Sequence, residues 1–179
     1  MRSGRQLANT PMWIASRYLG PMTLLQRLLT LSAFATSTCF GQSADQERAV
    51  LQALDRFFHA MTERDTALMA STVVREGDLH IIQAEASSPV RTVSFMDYLA
   101  RLAQGKERLV ERYWDARIQV SGPIATATMP YDFHIDGVLS HCGIDVFTLV
   151  NDGVWRIASV SFTRQVEGCP ESPLGPLKE

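Results

Sequence analysis

The sequence predicts an α+β domain in which helices come first and an antiparallel meander closes the chain. Three observations predict it. Val50, Leu51, Leu54, Phe57, Phe58 and Met61 recur at helical spacing and form one wide apolar stripe. Beyond Gly105 the period falls to two, with Trp114, Ala116, Ile118 and Val120 alternating with Tyr113, Asp115, Arg117 and Gln119. Finally, Asp136-Gly137 and Asn151-Asp152-Gly153 punctuate the C-terminal half, the first being a dipeptide favoured in two-residue hairpins.

Each element follows from local chemistry. Ser43 and Gln46 stand at capping-box spacing before the apolar stripe, with Asp45 as a rival cap. Asp65 opens a shorter helix carrying Leu68 and Met69, and Leu79-His80-Ile81-Ile82 reads as a first strand. A polar loop through Ser87-Ser88-Pro89 follows, and then Ser94 and Asp97 cap a helix with Phe95, Tyr98, Leu99 and Leu102 on one face. The strand from Tyr113 ends at Gly122-Pro123, and strands Ile124–Ile135, Val138–Val150 and Trp155–Thr163 complete the meander. From Gly168 the tail is irregular, with Pro170, Pro173 and Pro176.

Composition narrows the function classes. The 179 residues are 46% hydrophobic and 20% charged, the balance of a globular protein. A net charge of −2 argues against a nucleic-acid partner, which demands clustered positive charge. No apolar run approaches the ~18 residues needed to span a bilayer. Gly137 and Gly153 each serve a turn, so no phosphate-cradling loop is present, and no Cys-x-x-Cys pair occurs.

The front of the chain reads as an export leader. Arg27, the apolar stretch Leu28 to Ala35 and the small residues up to Gly41 are the parts of a signal peptide, with no acidic residue before Asp45. Cleavage fits after Ala35 or after Gly41, and Met22 is an alternative start. The organisation expected is a leader over residues 1–41, a domain over 42–166 and a tail over 167–179, with a periplasmic or secreted product. Cleavage after Gly41 leaves two cysteines, Cys142 and Cys169. An oxidising compartment favours a disulfide between them over two free thiols.

The Phe57-Phe58 helix, the short helix at Asp65 and the closing phrase Asp152-Gly153-Val154-Trp155-Arg156-Ile157 resemble the nuclear transport factor 2-like superfamily, which includes polyketide-cyclase-like and ketosteroid-isomerase-like proteins. His141 to Phe147 looks like a feature of a small exported bacterial subgroup. The resemblance covers roughly Asp45 to Thr163. It implies a curved antiparallel sheet forming a cone around the N-terminal helices, a small-molecule pocket between them, and a homodimer formed through the sheet.

Hairpin geometry then assigns faces. A two-residue Asp136-Gly137 loop sets Asp132 opposite His141 and His134 opposite Leu139, and puts Asp132, His134, His141, Asp145 and Phe147 on one face. A three-residue Asn151-Asp152-Gly153 loop adds Trp155, Ile157, Ser159 and Ser161 to that face. The resemblance turns Trp155 and Ile157 inward, and these groups with them. A one-residue slip of register reverses the assignment.

Asp132 and His141 are then the candidate acid–base pair, set against a structural cross-strand hydrogen bond. His134, Asp145, Phe147, Trp155 and Ser159, with Phe57 and Tyr98 from the helices, are the candidate ligand contacts. His141 and Asp145 lie about 13 Å apart along a strand, too far to share a metal. Asp132, His134 and His141 have metal-ligand chemistry without fixed geometry; neither metal nor cofactor is expected. Three readings result: an exported small-molecule-binding or accessory protein, a lyase- or isomerase-like enzyme using Asp132 and His141, and a module dimerising through an outer face bearing Tyr131, Phe133, Ile144 and Phe162.

Overall fold

The computed structural model describes residues 24–84 and 88–178, with side chains described from Ser43 onward. Three helices are described, α1 (Leu24–Thr62), α2 (Thr66–Thr72) and α3 (Phe95–Gln104). The strands are β1 (Val73–Gln83), β2 (Arg91–Ser94), β3 (Leu109–Tyr113), β4 (Arg117–Ser121), β5 (Ile124–Ile135), β6 (Val138–Asn151) and β7 (Trp155–Arg164). The expected leader falls outside the residues whose side chains are described, and its first part, 1–23, lies wholly outside the described residues.

The helices pack by the chemistry read from the sequence, with one difference. Helix α1 runs through Ser43 instead of starting there, and Ser43 Oγ donates to Glu47 Oε1 at 3.2 Å. No proline interrupts this stretch, and a single interior glycine, Gly41, costs only about 1 kcal/mol. Val50, Leu54, Phe57, Phe58 and Met61 are buried, as their spacing requires. Asp65 caps α2 by accepting from the Leu68 N–H at 2.8 Å, and Ser94 caps α3 by accepting from the Asp97 N–H at 3.1 Å.

The sheet is curved and unclosed, in the order β2-β1-β7-β6-β5-β3, with β4 also on β5. Its pairs are antiparallel except for β1 with β7, which run parallel. The strand expected from Tyr113 to Val120 is instead two strands, β3 and β4, separated where Asp115 takes φ +47°. Both pair with β5, and the break faces Pro130, which has no N–H to offer the ladder. The backbone N–H of Trp114 still reaches the Pro130 carbonyl at 3.3 Å. Asp136 and Gly137 both have positive φ, +51° and +82°, the signature of the tight hairpin turn read from the sequence.

Two bulges overturn the expected faces. Ile135 pairs with Val138 and His134 with Leu139, but Phe133 then pairs with His141, leaving Ser140 as an extra residue on β6. Asp132 therefore faces Cys142, not His141. On β7, Thr148 pairs with Ser159 and Leu149 with Ile157, so Ala158 is a second extra residue. Trp155 and Ile157 point into the core, whereas beyond the bulge Val160 and Phe162 take the inward positions in place of Ser159 and Ser161. Gly77 on β1 accommodates this bulge, because a Cβ there would stand 2.2 Å from the Ala158 carbonyl oxygen.

The outer face carries the tail. Cys142 and Cys169 form a disulfide across 27 residues, and Cys142 and Gln165 exchange backbone hydrogen bonds of 2.9 Å. Arg112 grips Asp132 through two hydrogen bonds of 2.8 and 2.5 Å, and its Nη1 donates to the Gly175 carbonyl at 2.9 Å. Of the outer-face residues expected to make a dimer patch, Tyr131, Phe133 and Phe162 turn inward, and Ile144 alone is exposed there.

Closing a 27-residue separation by a disulfide stabilises a fold by about 3 kcal/mol. Replacing both Cys142 and Cys169 by serine should lower the urea-unfolding free energy by about that amount. An unchanged midpoint would contradict this role for the bridge.

Candidate functional site

A cavity of about 500 Å³ opens between α1, α3 and the concave face of the sheet. Its walls are largely apolar. Phe57 and Met61 come from α1, Leu102 from α3, and Leu79, Ile81, Phe133, Phe147, Val160 and Phe162 from the sheet. Phe57 and Phe147 meet edge to face at 5.9 Å, fixing one end of the wall. The His141 ring stacks on Phe133 with centroids 4.8 Å apart and 25° between planes. This stacking follows directly from the Ser140 bulge, which made these two residues cross-strand neighbours.

Strand β3 brings a carboxyl group inside. Leu109, Glu111 and Tyr113 pair with Ile135, Phe133 and Tyr131 and share their face, so Glu111 points in while Arg112 points out. The Glu111 carboxyl lies beside that of Asp145 on β6. Burial first, and then repulsion from Asp145, hold the Glu111 carboxyl well above the usual carboxylate range. Burial likewise pushes Asp145 up to about 7, partly offset by the neighbouring Glu111 carboxyl. Two buried acids in contact do not both ionise readily, so near neutral pH the pair is held toward protonation. Asp145 is 2% exposed, and its Oδ2 has no hydrogen-bond partner.

Neighbouring groups stay neutral. Burial and the Arg164 charge pull His141 down to about 4, so its imidazole is uncharged at pH 7. Its Nδ1 lies 3.1 Å from Ser140 Oγ. Burial raises the phenols of Tyr98 and Tyr131 above their ordinary value, and Tyr131 donates to the Thr163 carbonyl at 2.9 Å. Arg64, Arg91, Arg101 and Arg164 also line the cavity. Arg64 is engaged: its guanidinium donates to the Leu102 carbonyl at 2.8 Å and to the Glu107 carbonyl and carboxylate at 2.6 to 3.0 Å. Gly105 makes room for it, since a Cβ there would lie 2.3 Å from Arg64 Nη1.

Of the residues singled out from the sequence, Phe57, Tyr98, His141, Asp145 and Phe147 line this cavity. Asp132 and His134 do not: they are buried on the outer side of the sheet, with His134 Nδ1 3.5 Å from Asp132 Oδ1. The expected Asp132–His141 pair is therefore not formed, because the Ser140 bulge puts its members on opposite faces. Trp155 sits at the far end of the core, its Nε1 donating to Gln46 Oε1 at 3.2 Å, and Ser159 lies outside the lining. No group of three metal-ligating side chains occurs among the described residues. The alternation through Tyr113, Asp115 and Arg117 carries Glu111 to the polar side, and the left-handed kink at Asp115 reverses that phase in β3, so no local signal places Glu111 inside.

The raised carboxyls have a pH consequence. Folded-state pKa values raised above the unfolded ones stabilise the fold at acid pH, and that stability is lost as pH rises through about 7. His141 acts oppositely, its contribution vanishing as pH falls from 6.5 toward about 4. Asp145→Asn should flatten the decline in stability between pH 5 and 8 by on the order of 2 kcal/mol, read from urea unfolding at each pH. Parallel pH profiles for the two proteins would contradict the pairing.

A family model described as "Putative lumazine-binding" matches residues 45–163. No curated protein matches the sequence. Among solved structures, an NTF2-like protein of unknown function from Shewanella baltica superposes with a TM-score of 0.55 at 15% identity, over 68% of this chain and 95% of that one. An NTF2-like protein from Cytophaga hutchinsonii gives 0.56 at 16% identity, covering 66% and 98%. An NTF2-like protein with a cystatin-like fold from Novosphingobium aromaticivorans gives 0.57 at 12%, covering 75% and 91%. At these identities the likeness is one of fold. The chain belongs to this lumazine-binding-type family, within the nuclear transport factor 2-like superfamily.

Proposed function

We propose that this protein is exported and binds a small, flat, largely apolar molecule inside the cone, with no reaction assigned to it. The observation carrying the reading is the apolar cavity of about 500 Å³ that ends on the Glu111–Asp145 pair. A volume of this size suits a small organic ligand with a few convergent polar groups. A buried acceptor without a partner, such as Asp145 Oδ2, costs about 1–3 kcal/mol, which a ligand N–H would recover. A protonated carboxyl beside a carboxylate offers a donor and an acceptor together, the complement of a cyclic amide edge. Lumazine, the compound in the family's description, is a flat fused ring with such edges.

The Cys142–Cys169 disulfide supports export, because such bridges persist in oxidising compartments, and so does the leader composition. No helix among the described residues is long and apolar enough to cross a membrane. The acid–base reading built on Asp132 and His141 has no geometric support, since the two face opposite sides of the sheet.

Titration with N-phenyl-1-naphthylamine, an uncharged fluorescent aromatic, tests the cavity. One equivalent should bind with a Kd on the order of 1–10 μM. Val160→Trp, which fills the cavity from β7, should weaken this at least about tenfold, roughly 1.4 kcal/mol, while retaining the native circular dichroism. Undiminished binding by the filled variant would contradict the reading.

A further inference from the structure

Charge is distributed unevenly around the cavity. The chain as a whole is slightly acidic, with a net charge of −2. Yet the cavity is lined by Arg64, Arg91, Arg101 and Arg164 against only Glu107, Glu111 and Asp145 as acids. Arg64 and Glu107 neutralise each other at 3.0 Å. Burial holds Glu111 and Asp145 toward their protonated forms, so the two do not present two full negative charges. Three guanidinium groups therefore remain, and none of Arg91, Arg101 and Arg164 pairs with a carboxylate among the described residues.

These three come from different elements that converge on one side. Arg91 opens β2 and pairs with Ile81 of β1, Arg164 ends β7 opposite Gln83 of β1, and Arg101 lies in the last turn of α3. Arg91 and Arg101 are exposed, whereas Arg164 is half-buried. The field of Arg164 reaches inward, lowering the proton affinity of both His141 and Tyr131. A low-dielectric wall beneath a cationic rim focuses such a field on the cavity. The acid pair lies close to this rim, since Asp145 pairs with Phe162, two residues before Arg164 on the same face of β7.

From this arrangement, and resting on the binding reading above, we infer that the ligand is an amphipathic organic anion. Its apolar body fills the cavity, and an acidic group such as a carboxylate or sulfonate sits among Arg91, Arg101 and Arg164. Guanidinium groups suit this task because their planar fork matches an oxyanion and stays charged at any physiological pH.

Two probes with one aromatic body separate the two claims. 8-Anilinonaphthalene-1-sulfonate carries a sulfonate that N-phenyl-1-naphthylamine lacks. The variant Arg91→Gln/Arg101→Gln/Arg164→Gln should lose at least about tenfold more affinity for the sulfonate than for the neutral probe, a difference of ~1.4 kcal/mol. Retained binding of the neutral probe itself reports an intact cavity. Wild-type affinity for the sulfonate should also fall with added salt, and that for the neutral probe should not. Sulfonate affinity unchanged in the variant, or insensitive to salt in the wild type, overturns the inference and leaves the cavity reading standing. Failure of the wild type to bind either probe overturns both.

Discussion

Everything inside the cone depends on two single extra residues in the sheet. Side chains alternate along a strand, so one inserted residue exchanges the two faces from that point onward. Ser140 does this on β6 and Ala158 on β7. Without the first, Asp132 would stand opposite His141; with it, Phe133 does, and the imidazole stacks on a benzyl ring. The second lets Trp155 and Ile157 fill the core at one end while Val160, Phe162 and Arg164 line the cavity at the other. Bulges thus divide one sheet face into a packed half and an open half.

The same phase change sorts the charged groups. Arg112, Asp132 and His134 go outward, where Arg112 joins Asp132 to the Gly175 carbonyl of the disulfide-anchored tail. Glu111 and Asp145 go inward, where burial keeps a proton on the pair. Buried charge is tolerated on each side by a different device. Outside, Asp132 receives a two-pronged guanidinium; inside, where neither acid has an ion-pair partner among the described residues, protonation takes its place. Burial, with the field of Arg164 added to it, keeps His141 uncharged.

Much of this was legible in the sequence because it rests on local rules. The α1 stripe, the caps at Asp65 and Ser94 and the Asp136-Gly137 turn each follow from residue type and spacing, and the pairing of Cys142 with Cys169 from the two cysteines left after an export leader. The faces were not, because a bulge costs little and leaves no compositional mark: Ser140 and Ala158 look like any strand residues. Asp145, His141, Phe147, Phe57 and Tyr98 were found at the cavity nonetheless, the first three because they lie beyond the bulge, whose slip was taken up by Asp132 and His134. Glu111 was hidden by the left-handed kink at Asp115, which breaks the alternation between β3 and β4. The arginine rim is a tertiary feature of three elements far apart in the chain, and no local pattern announces it.

The central claim is that burial holds Glu111 and Asp145 toward protonation near neutral pH, where they face the cavity. Infrared difference spectroscopy measures this most directly, since a protonated carboxyl has its own C=O stretching band. The account predicts such a band at pH 7, absent from Glu111→Gln/Asp145→Asn and displaced when an aromatic probe occupies the cavity. A wild-type spectrum with no protonated carboxyl at pH 7, or with a band that survives the double substitution, would contradict it.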